Sequence, residues 1–116
     1  MRVMVLVKAT QDSETGATPP EWTAQMMAAM GRFNDELREA GVLIMAEGLQ
    51  PSAQGKRVTF DGDARTVSDG PFTPPHDQVA GFWLWEVQDM DEALGWVKRC
   101  PNPMPGPSLI EIRGIG

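Results

Sequence analysis

The segment from Val79 to Val87 constrains this chain more than any other. Phe82 and Leu84 alternate with Trp83 and Trp85, so a strand running through it is apolar on both faces. Burying that much aromatic area contributes several kcal/mol at about 25 cal/mol/Å², and it requires a cover on each side. Residues 2 to 8 repeat the pattern, with Val3, Val5 and Val7 on one face and Met4 and Leu6 on the other. The rest of the chain supplies two helices, enough to cover one face only. The expected arrangement is a sheet with helices on one side and a second copy of the chain on the other.

Thr18-Pro19-Pro20-Glu21 reads as a helix start, with Thr18 as the cap and Glu21 completing a capping box. The stripe Trp22, Met26, Met30, Phe33 and Leu37 follows at helical spacing to about Ala40, where Gly41 stops the helix in a left-handed cap. The Met and aromatic stripe could serve as an apolar ligand site, but at this spacing it reads first as the face packed on the sheet, and the preceding segment, Gln11 to Thr18, as a polar loop. A second helix starts at Asp89 with Glu92 three residues on, presents Met90, Leu94 and Val97, and ends before Pro101. Further strands fall at Val42 to Leu49 and Ser108 to Arg113. Lys56 to Ser68 forms a hairpin turned at Asp61-Gly62-Asp63, with Arg57, Thr59 and Arg65 exposed or facing a cleft. Strand, helix, strand, hairpin, strand, helix, strand is an α+β order: a ferredoxin-like βαββαβ unit with an inserted hairpin, in one domain over residues 1–116.

Charge and composition exclude several function classes. The net charge of −6, with no basic cluster, argues against a nucleic-acid partner. No apolar run approaches the ~20 residues that span a membrane. The first residues are too short an apolar run for a signal sequence, so a cytoplasmic protein is expected. One cysteine and one histidine give no zinc constellation, and the acids lack a calcium-loop spacing, so neither metal nor cofactor is expected. Cys100, beside Pro101, reads as a packing residue.

The stiffest and chemically richest stretch is Ser68 to Asp77. Asp69-Gly70-Pro71 forces a turn in which the Asp69 carboxylate is expected to cap its own backbone, and Pro74 and Pro75 hold the sole histidine, His76, beside Asp77. Two readings follow. In one, a homodimer binds a small organic molecule in a cleft near this loop. In the other, Asp69 or His76 is the acid or base of an enzyme, with Asp77 orienting His76 and an apolar cleft formed by Phe72, Trp83 and Trp85. Arg57 or Arg65 would then pair with a substrate carboxylate. Glu47, the one ionisable residue in its strand, either faces water at an edge or points into that cleft.

Gly41-Val42-Leu43, Glu47-Gly48-Leu49-Gln50-Pro51, Asp69-Gly70-Pro71-Phe72, Gly81-Phe82 and Asp91-Glu92-Ala93, in this order, resemble the YCII-related family and its DGPF-domain branch. The resemblance implies a dimeric α+β barrel of ferredoxin-like protomers with a cleft near the Asp69 motif. Most members of the branch have no assigned reaction. Some similar proteins are encoded beside extracytoplasmic-function sigma factors, and a few relatives are dehydrochlorinases of chlorinated aromatic breakdown products. Two departures stand out: Thr73 to Asp77 replaces the acidic, lysine-containing stretch usual after the motif, and Met26 to Asn34 holds no histidine, where relatives with a His–Asp pair carry theirs.

Overall fold

Alternation in the two apolar strands sets the architecture. In the computed structural model, which describes residues 1–116, β1 (Arg2–Lys8) and β5 (Val79–Glu86) pair antiparallel at the centre of a four-stranded sheet. β2 (Leu43–Gly48) flanks β5 and β6 (Ile110–Gly114) flanks β1, giving the order β2-β5-β1-β6 with every neighbour antiparallel. This is the interleaved βαβ order expected of a ferredoxin-like unit. The register puts Val3 opposite Trp85, Val5 between Trp83 and Ile112, and Val7 opposite Ile110, all on one face. Met4, Leu6, Phe82 and Leu84 fall on the other.

Both long helices cover the first face. α2 (Pro20–Glu39) buries Phe33 and Leu37, and α3 (Met90–Arg99) buries Ala93. Phe33 meets Trp83, Trp85 and Trp96 edge-on at centroid distances of 6.0, 6.4 and 6.3 Å, so one ring organises the indoles of two layers. Arg99 bridges the helices by donating to Glu36 at 2.7 Å. Trp85 is fully buried and its indole N–H has no partner, a cost carried by the surrounding aromatic packing.

Several expectations are corrected. Gln11–Thr15 is a short helix, α1, because Thr10 accepts from the Ser13 N–H while the Ser13 hydroxyl accepts from the Thr10 N–H, a capping box inside what reads as a polar loop. α2 has no such box: Pro19 is its N-cap and Thr18 instead accepts from the Thr23 hydroxyl. With Pro20 at the first helical position, the cap falls one residue after Thr18. In α3 the buried stripe is Met90, Ala93, Trp96 and Val97, while Leu94 is exposed. Asp89 does cap α3, accepting from the Glu92 N–H at 2.9 Å, and Gly41 does close α2 at φ 73°.

The inserted hairpin, β3 (Lys56–Asp61) and β4 (Ala64–Asp69), is a separate two-stranded sheet with every residue exposed. It stands clear of the body: the radius of gyration is 15.8 Å, against roughly 13 Å for a compact chain of this length. No helix is long and apolar enough to cross a membrane.

Candidate functional site

The face of α2 that covers the sheet does not stay in contact with it. From Phe33 onward the stripe is core, but Trp22, Met26 and Met30 are only half-buried and line a cavity of about 550 Å³. Val7, Ala46 and Trp83 form its sheet wall, Ser13 and Glu14 of α1 one rim, Leu49 to Pro51 another, and Pro103 with Met104 close an end. The volume lies in the range of small-molecule sites. Trp83 is held in position there: its indole N–H donates to Asn34 Oδ1 at 2.8 Å and its ring meets Phe33 at 82°.

Beside the cavity runs a chain of hydrogen bonds that ties three loops together. Glu14 accepts from the Ser52 N–H at 2.8 Å and, through its other oxygen, from the Ser52 hydroxyl. The Ser52 hydroxyl oxygen accepts from the Phe72 N–H at 2.9 Å, and the Gly70 N–H donates to the Gly55 carbonyl at 3.0 Å. Gly70 is required at this point. A Cβ there would fall 2.6 Å from the Ser52 carbonyl carbon and 3.2 Å from the Ala53 nitrogen, closer still to the Ser52 carbonyl oxygen. The Asp-Gly-Pro-Phe stretch is thus a clasp on the Ser52 turn, and the turn holds Glu14 at the rim.

The residues singled out from sequence are not brought to one place. Glu47 and Trp83 border the cavity, Glu47 from an exposed position opposite Phe82, on the side of the sheet away from the helices. Trp85 lies in the core and does not reach it. Asp69 is exposed on the hairpin, and its carboxylate pairs with Lys56 across the strands rather than capping its own turn. The Arg57 guanidinium sits 3.9 Å over the Phe72 ring and donates to Gln78 at 3.3 Å. Arg65 covers Phe60 at 4.5 Å near the hairpin tip. His76 and Asp77 lie 3.7 Å apart, both exposed, and His76 borders a separate, polar hollow with Lys8, Thr10 and Ser108. No group of three or more His, Cys, Asp or Glu is placed to hold a metal ion.

Sequence reasoning missed Glu14, Ser52, Asn34 and Met104. A Thr-x-x-Ser start at Thr10 would have flagged the helix that presents Glu14. The length of the α2 stripe was the other signal, since Trp22 and Met26 continue it beyond what a four-stranded sheet can cover. Cys100 behaves as a packing residue: burial pushes its thiol up to about 12, and its Sγ–H donates to the Pro101 carbonyl at 3.2 Å.

An uncharacterized protein of Rhizobium meliloti (strain 1021) is 28% identical over 104 residues, covering 90% of this chain and 84% of that protein. The profile of the YCII-related domain matches residues 1–115, so the chain belongs to the YCII-related family.

Proposed function

We propose that this protein is a homodimer of the DGPF type that binds a small organic molecule in the cavity between α2 and the β2–β5 edge of the sheet. The observation that carries the reading is the divided α2 stripe: Trp22 and Met26 keep apolar surface turned into a cavity of about 550 Å³ instead of packing on the core, and Met30 touches both. The clasp at Gly70 supports this wall through Ser52 and Glu14, which gives the Asp69–Phe72 loop a part in the site without lining it. Asp69 and His76 lie outside the cavity, so binding there does not use them as acid or base.

Dimerisation is inferred from the opposite face of the sheet. Met4, Leu6, Phe82 and Leu84 are half-buried there with no helix over them, and Met45 on the same face is 46% exposed. A second copy, applied face to face, supplies the missing layer.

The test of ligand binding uses indole and naphthalene as uncharged aromatic probes, followed by quenching of tryptophan fluorescence and by thermal shift. Saturable binding that is lost in Met26→Trp, with the fold and dimer retained, supports the cavity as the site. Binding unchanged by that filling substitution, or none at all, would overturn it.

A further inference from the structure

The cavity also carries a charge preference. No Lys, Arg or His borders it, whereas Glu14 brings a carboxylate to its rim; Glu47 borders it only from the far side of the sheet. The guanidiniums that could have answered a carboxylate ligand are committed elsewhere, Arg57 over Phe72 and Arg65 over Phe60. Within the cavity, Trp22 and Trp83 offer aromatic surface, and Met26, Met27, Met30 and Met104 offer polarizable thioethers. Both surfaces suit a positively charged, apolar group, the indoles through their negative faces. An anion would enter an apolar hollow with the Glu14 carboxylate at its rim, and with no cation to pair with it.

We propose that the ligand is a small organic cation, an alkyl or aryl ammonium whose apolar part lies against the α2 methionines and whose charge faces Glu14 and the tryptophans. This rests on the cavity being the binding site. Glu14 can take part while keeping its structural role: a carboxylate offers about four lone-pair positions, and the Ser52 N–H and hydroxyl occupy two. The carboxylate is thereby already oriented before a ligand arrives, so no side-chain ordering is needed at the moment of binding.

The experiment compares three probes of one shape by fluorescence titration of the intact dimer: benzyltrimethylammonium, its uncharged carbon isostere neopentylbenzene, and the anion 2,2-dimethyl-3-phenylpropanoate. The expected order is cation, then neutral isostere at about tenfold weaker affinity, then the anion without saturable binding. Raising the salt concentration narrows the gap between cation and neutral probe. Glu14→Gln and, as a control charge on the far side of the sheet, Glu47→Gln are each titrated with all three probes. A variant that has lost the site loses the neutral isostere too, whereas removal of the charge alone lowers only the cation. Equal affinities, or the anion tightest, would refute the charge class and leave the cavity as a site. No binding of any probe to the folded parent would remove the cavity reading and this inference with it.

Discussion

Replacing Gly70 with Ala tests whether the Asp-Gly-Pro-Phe stretch is a clasp. The added Cβ would lie 2.6 Å from the Ser52 carbonyl carbon, where about 3.5 Å is the ordinary carbon–carbon contact, and closer still to the carbonyl oxygen, so the Ser52 turn must retreat by more than about 1 Å. The obstacle is backbone, which cannot swing aside as a side-chain end could. A retreat of that size breaks or bends the Gly70–Gly55 and Phe72–Ser52 hydrogen bonds and pulls Ser52 from Glu14. Neutral hydrogen bonds contribute about 0.5–1.5 kcal/mol each and those to a charged group about 1.5–3. Loss of about half of this set costs about 2–4 kcal/mol, equivalent to a fall in Tm of about 8–16 °C for a domain of this size. Urea unfolding of parent and variant, fitted with a common m-value, measures it. A variant within about 0.5 kcal/mol of the parent would refute the clasp, because the overlap with Ser52 would then have been absorbed at no cost.

Gly31→Ala and Gly95→Ala are the opposite case. Both glycines are exposed inside helices with nothing within 4 Å of the new Cβ, and each substitution should raise stability by about 0.5–1 kcal/mol in the same urea assay. Asp69→Asn removes an ion pair whose partners are 67% and 72% exposed, so it should change stability by less than about 1 kcal/mol, far below the Gly70 effect. Burial raises the Cys100 thiol from 9.0 to about 12 and leaves far less thiolate at pH 8, so a disulfide reagent should react with the native protein much more slowly than with the urea-unfolded chain. Its effect on stability has a definite sign: above pH 9 the unfolded chain releases this proton first, so stability falls as the pH rises from about 9 toward 12. Leu84→Glu places a charge on the uncovered sheet face beside Met4 and Met45 and should yield monomers in sedimentation equilibrium; an unchanged mass would refute the dimer face.

The sheet was legible because the apolar alternation of β1 and β5 admits only a central position for both strands, and the helix starts around them allow only one interleaved order. Local chemistry was harder to read. Thr18 and Glu21 have the spacing of a capping box, yet the two prolines between them move the cap to Pro19, while a real box at Thr10 and Ser13 uses serine in place of the expected acid. The cavity was hidden for a different reason. A stripe of Trp22, Met26 and Met30 looks the same in sequence whether it touches a sheet or stops short of it, and only the three-dimensional gap separates the two. Proximity in sequence also misled at the loop: Asp69, Phe72 and His76 lie within eight positions, but the chain turns at each proline and delivers them to the hairpin, the clasp and a separate hollow.

The hairpin has a kinetic consequence. A two-stranded ribbon exposed on both faces is marginal by itself, and this one is anchored at its base, where Gly70 meets Gly55 and Lys56 meets Asp69. Its amide protons are therefore expected to exchange with solvent deuterium by local opening, well before those of β1 and β5, whose exchange waits for the whole sheet to unfold. Val58, Phe60 and Val67 lie on one side of the ribbon at 50, 71 and 61% exposure. Any surface that came to rest on that side would slow the exchange of this segment ahead of every other part of the chain, so β3 and β4 are where deuterium uptake would first register an encounter.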